Sequence, residues 1–73
     1  GNTAGTLDDL NEAIRLDAHC WMAFKARGDV NRKLGRLKEA EANYAKSLEV
    51  APTDWKDAPM VRDLIDSIRG EKR

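Results

Sequence analysis

Few residues in this chain have side chains whose type and spacing could do chemistry. His19 and Cys20 stand side by side and supply the chain's one imidazole and its one thiol. Zinc takes three or four ligands at suitable spacing, and the sequence offers no other His or Cys. A nucleophilic thiol needs a base that is itself oriented by a third group, and Cys20 has only its neighbour. The pair therefore reads as part of a turn, and neither a metal nor a cofactor is expected. Asp8 and Asp9 are adjacent carboxylates, but they fall where a helix begins and where acids suit the positive end of the macrodipole. No glycine-rich phosphate loop, Walker pattern or nucleotide fingerprint is present. The expectation is a protein that is not an enzyme, with no catalytic residue to name.

Charge and length narrow the remaining classes. The 73 residues make one small domain at most, and 13 basic residues balance 13 acidic ones. A net charge of zero supplies no global field for nucleic acid or an anionic membrane. The basic residues also lack interleaved aromatics, so neither partner is expected. The distribution is uneven. Residues 1–24 carry four acids (Asp8, Asp9, Glu12, Asp17) against Arg15. Residues 25–49 carry seven bases (Lys25, Arg27, Arg32, Lys33, Arg36, Lys38, Lys46) against four acids. An acidic end beside a basic middle would steer self-association or an acidic partner, against the plain alternative of solvated helix faces. One cysteine forms no internal disulfide and fits a reducing compartment, with the cytoplasm as the expected location. No apolar stretch is long enough to span a bilayer. Residues 1–5 read as a scar or a cut end, and the chain reads as a piece of something longer.

Four helices must position these groups. Thr6 and Asp9 have the spacing of a capping box, which starts the first helix near Thr6. Leu7, Leu10, Ala13 and Ile14 share one face of it, Leu16 closes it, and Asp17-Ala18-His19 turns the chain. The second helix runs from Trp21 to Leu34, with Ala23, Ala26, Val30 and Leu34 on its buried side and Phe24 beside them. Gly28 costs about 1 kcal/mol in a helix interior, which implies close approach of a neighbour. Gly35 ends that helix in a left-handed conformation. The third helix runs from Leu37 to Val50, with Leu37, Ala40, Tyr44, Ser47 and Leu48 in one stripe, and Pro52 stops it. The fourth begins near Asp57, carries Pro59 in its first turn, buries Val61, Leu64, Ile65 and Ile68, and ends at Gly70. Short loops make sequence neighbours antiparallel. No stretch alternates with period two, so no strand is expected.

Trp21 and Trp55 lie 34 residues apart, and the residues before each correspond. Leu10 pairs with Tyr44, Ala13 with Ser47, Ile14 with Leu48, Leu16 with Val50 and Ala18 with Pro52. A fixed period of this length signals stacked helical units. Residues 21–54 resemble a tetratricopeptide repeat. They read Phe24-x2-Arg27-Gly28-x2-Asn31, then Ala40-x3-Tyr44, then Pro52, against the family pattern W-x2-L-G-x2-Y, A-x3-F and P. Gly35 to Ala40 resembles the turn inside such a repeat. Residues 7–20 resemble the second half of a preceding repeat, and residues 55–70 a closing helix, with a tail at 71–73. The resemblance implies one all-α domain over residues 1–73, a fragment of an antiparallel helix-hairpin solenoid. Arg27 and Asn31 depart from the family's Leu and Tyr. Both should face a neighbouring helix, in wetter packing.

The resemblance implies a protein–protein interaction module. The first helices of such hairpins line a concave groove, which here places Met22, Lys25, Asp29, Arg32 and Lys33 as partner-binding residues. Their spacing does set them on one helix face. Three bases and one acid suit a peptide with acidic groups or a terminal carboxylate. In the chaperone-binding branch, lysine and asparagine residues clamp such a carboxylate. Lys25 matches the first lysine of that clamp, but Asp29 stands where asparagine is wanted. The alternative function is self-association. The first helix lacks its own hairpin partner, so Leu7, Leu10 and Ile14 would be left partly bare for a second copy to cover.

Overall fold

The computed structural model describes residues 3–71, which form four helices: α1 (Thr3–Leu16), α2 (Trp21–Lys33), α3 (Leu37–Val50) and α4 (Ala58–Glu71). The fold is all-α, and no strand occurs among the described residues. Residues 1, 2, 72 and 73 lie outside them, so the expected scar at the start and tail at the end are only partly covered. Glu71, placed in that tail by the sequence, is the last residue of α4.

Each boundary has a local cause. Helix α1 starts three residues before the expected Thr6, and its first turn holds no acid. No proline precedes Thr6 to stop the helix, so Thr6 and Asp9 lie inside it rather than at a capping box. The turn after α1 is built by Asp17. Its carboxylate accepts the His19 backbone N–H at 2.9 Å, and its carbonyl accepts the Cys20 N–H at 3.1 Å. Helix α2 ends in a Schellman motif. Gly35 takes φ +78°, its N–H donates to the Arg32 carbonyl, and the Arg36 N–H reaches back to the Asn31 carbonyl at 2.9 Å. These are the 5→2 and 6→1 bonds that satisfy the last carbonyls of a helix. Helix α3 ends because Ala51, before Pro52, is extended at ψ 153°, the conformation proline imposes on its predecessor. Asp57 immediately precedes α4, and its carbonyl accepts the Val61 N–H at 3.0 Å. Gly70 does not stop α4, which continues to Glu71. A helical φ is open to glycine, and its propensity cost of about 1 kcal/mol does not end a helix unaided.

The helices pack in chain order, α1 on α2, α2 on α3 and α3 on α4, with α2 and α3 the most intimate pair. Helices α1 and α4 make no substantial contact. The arrangement is therefore an open row, measuring 34 × 30 × 17 Å, and not a closed ring of four. Arg69 near the end of α4 pairs with Glu41 near the start of α3 at 2.7 Å, which fixes that pair as antiparallel. The main core lies between these two helices. Ala40, Tyr44, Val61, Ile65 and Ile68 are buried together, with Leu37, Leu48, Trp55 and Leu64 packed around them. The stripes expected on α3 and α4 are thus the ones that pack.

The buried side of α2 differs from expectation. Ala23 and Phe24 are buried as expected, but Gly28 and Asn31 complete the buried set. Ala26 and Val30 are half-buried, and Leu34 is 44% exposed. The seam admits polar groups where they pair across it, as Arg27 does with Asn43 on α3. The Gly28 gap accepts the Tyr44 ring. A Cβ at residue 28 would lie 2.7 Å from Tyr44 Cε1.

Candidate functional site

The residues expected to bind a partner lie along α2, which rises about 1.5 Å per residue. Met22 begins the face and is 54% exposed. Lys25 and Asp29 follow one turn apart, and the Lys25 ammonium donates to Asp29 Oδ2 at 2.8 Å. The other oxygen, Oδ1, accepts the Tyr44 hydroxyl. Lys25, Asp29 and Tyr44 thus form one chain running from the face of α2 into the core, where the Tyr44 residue is wholly buried. Burial, and then the bond and charge of Asp29, push the Tyr44 hydroxyl well above the ordinary tyrosine range, while the Arg32 charge pulls the other way. Tyr44 is therefore a neutral donor at any physiological pH.

Arg32 and Lys33 close the face at its C-terminal end. Both are exposed, and neither is in an ion pair among the described residues. The expected set is thus not uniform. Its middle is a neutralised pair, and its unpaired positive charge sits at one end. That charge continues past the expected set. Arg36 and Lys38, on the far side of the Gly35 turn, are also exposed.

A second constellation, on the inner side of α2, centres on Arg27. Its Nε donates to Asn43 Oδ1 on α3 at 2.7 Å, and its Nη1 donates to Asn11 Oδ1 on α1 at 3.0 Å. Asn43 is buried and passes the bond on, its Nδ2 donating to the Glu39 carbonyl at 2.8 Å. The guanidinium also sits 5.4 Å from the centre of the Phe24 ring, within cation–π range. Arg27 joins three helices, and its partial burial lowers its pKa from the usual arginine value. The sequence places Arg27 and Asn31 against a neighbouring helix; Arg27 reaches two of them, and Asn31 is buried. The sequence gives no sign of Asn11 or Asn43, because a polar residue shared between two helices leaves no periodic trace.

The residues expected for self-association lie on α1, which packs on α2. Leu7, Leu10 and Ile14 are half-buried. Leu16, at the end of the helix, is 71% exposed. Among the described residues no three His, Cys, Asp or Glu side chains gather as a metal site. No helix among them is long and apolar enough to cross a membrane.

No protein-family model, curated protein or solved structure matches this chain.

Proposed function

We propose that this chain is a protein-interaction module, a tetratricopeptide-type helical hairpin unit that docks a peptide or partner protein along the exposed face of α2. The observation that carries the reading is the Lys25–Asp29–Tyr44 chain. Its innermost member is fixed in the core, so the polar groups on the face are ordered before any partner arrives. Groups held in place beforehand lose less entropy on binding. Met22 at one end offers a flexible apolar contact of the kind adaptable binding surfaces use, and Arg32 and Lys33 offer charge at the other. On this reading the chain carries out no catalytic step.

The test is binding to a panel of short synthetic peptides of varied charge, followed by the variants Met22→Asp and Arg32→Glu with Lys33→Glu. A peptide that binds the natural chain and is weakened by either change supports the reading. Binding to no peptide, or binding untouched by both changes, overturns it.

Self-association through α1 is the second reading. It is favoured by the exposed Leu16 beyond the half-buried Leu7, Leu10 and Ile14. Light scattering over a wide concentration range tests it, and a monomer at every concentration rejects it.

A further inference from the structure

The turn between α2 and α3 carries more charge than helix stability explains. Arg32, Lys33, Arg36 and Lys38 are all exposed, and none is in an ion pair among the described residues. No acid lies between residues 30 and 38. The nearest are Asp29, already held by Lys25 and Tyr44, and Glu39. Arg32 and Lys33 sit in the last turn of α2, where cations complement the negative end of the helix dipole. That accounts for two of the four. Arg36 occupies the N-cap of α3 and makes no side-chain cap bond, and Lys38 is in the first turn. Cations there face the positive end of a dipole, and an arginine N-cap forgoes the stabilisation that Asp, Asn or Ser would give. Local rules broken without a structural return are expected at functional positions.

The same turn is rigid and partly apolar. The two Schellman bonds and the left-handed Gly35 fix its backbone. Leu34, in the middle of the four cations, is 44% exposed. We infer that the α2–α3 tip docks an acidic peptide segment, seating its carboxylates on Arg32, Lys33, Arg36 and Lys38 and an apolar side chain on Leu34. Charge complementarity selects an anionic partner. Two observations favour a short peptide over nucleic acid. The tip has no aromatic side chain on which a base could stack. The neighbour of α2 on its other side is α1, whose exposed Asp8 and Asp9 would repel a long polyanion running across it from the tip. The inference rests on the reading of this chain as a protein-interaction module and specifies the partner's chemistry.

The experiment is fluorescence anisotropy with a short glutamate-rich peptide bearing one central leucine, against the same peptide with glutamine for glutamate. The glutamate peptide is expected to bind roughly tenfold or more tightly than the glutamine peptide, with a preference that fades as salt shortens the screening length below about 10 Å. The variant Arg36→Asp with Lys38→Glu is expected to lose that preference while melting at a higher temperature, because acids there suit the start of α3. The higher melting point shows that lost binding is not lost folding. Equal binding of the two peptides, or full binding by the double variant, overturns the inference. Tighter binding to single-stranded DNA or to anionic lipid vesicles overturns the choice of partner. If uncharged peptides bind through Met22 while glutamate confers no preference, this inference falls and the interaction module stands. If no peptide of any charge binds, both fall.

Discussion

The ring of Tyr44 occupies the place where a side chain at Gly28 would begin, with Cε1 lying 2.7 Å from an added Cβ. This contact sets how closely α2 and α3 approach, and it is the reason a helix interior tolerates glycine here.

The Gly28→Ala change pits two effects against each other. Helix propensity favours alanine by about 1 kcal/mol. Overpacking against a buried ring costs roughly 1–3 kcal/mol, and the Tyr44 ring is held in place by its hydroxyl bond to Asp29. The expected net result is destabilisation, read as a lower melting temperature by circular dichroism. Gly70→Ala is the control. It lies in helix α4 with nothing within 4 Å of its added Cβ, so it is expected to be neutral or to raise the melting temperature.

Tyr44 gives stability a dependence on alkaline pH. Its folded pKa is raised above the ordinary tyrosine value of 10.0, first by burial and then by Asp29. The unfolded chain therefore loses this proton at a lower pH than the folded one. The contribution is fully present below about pH 10 and is lost as pH rises further. Tyr44 is the only tyrosine in the chain, so tyrosinate absorbance reports it alone. The folded protein is expected to titrate above pH 10 and the urea-unfolded protein near it. Tyr44→Phe should cost about 1.5–3 kcal/mol at neutral pH, the range for a hydrogen bond to a charged group. It should also flatten the loss of stability above pH 10 in urea melts.

Arg27→Ala would leave the Asn43 oxygen buried without its donor and cut the link to Asn11. An orphaned buried acceptor costs about 1–3 kcal/mol. The loss is expected to show first in α1, as faster amide hydrogen exchange there than in α3 and α4. Arg27→Leu with Asn43→Leu removes both partners at once and is expected to recover most of the loss, since apolar replacement of a buried polar pair is often neutral. A double-mutant cycle in urea separates the pair energy from the single effects.

Ile68 and Leu16 are both aliphatic, but they differ in burial. Ile68 is wholly buried and Leu16 is 71% exposed. Ile68→Ala is expected to cost about 2–5 kcal/mol, a large share of what a domain of this size holds in total. Leu16→Ser is expected to stay within about 0.5 kcal/mol if the chain is monomeric. A larger loss that grows with protein concentration would place Leu16 in an interface between copies.

The helices were legible where apolar spacing was unbroken. The bounds of α3 and the buried stripe of α4 follow from Leu, Val and Ile positions, and the Gly35 turn follows from glycine's tolerance of positive φ. The buried face of α2 was legible only in part: Ala23 and Phe24 are buried as their spacing implies, but Gly28 and Asn31, not Ala26, Val30 and Leu34, complete it. Their burial depends on groups far along the chain, Tyr44 above all. The candidate face shows the same division. Helical spacing brings Lys25 and Asp29 together, but nothing local to α2 tells that the Asp29 carboxylate is also held by Tyr44. The start of α1 was missed because a capping-box spacing stabilises a helix start only where the chain has not already entered the helix.

Contacts in chain order also bear on how quickly the fold assembles. Every substantial packing partner is the next helix along, reached across a loop of a few residues. Little loop entropy is lost before a contact forms, and helical domains with such local contacts fold in about microseconds to milliseconds. The α2–α3 hairpin has the shortest loop and the most intimate seam, which makes it the natural place for the transition state to gather its first native structure.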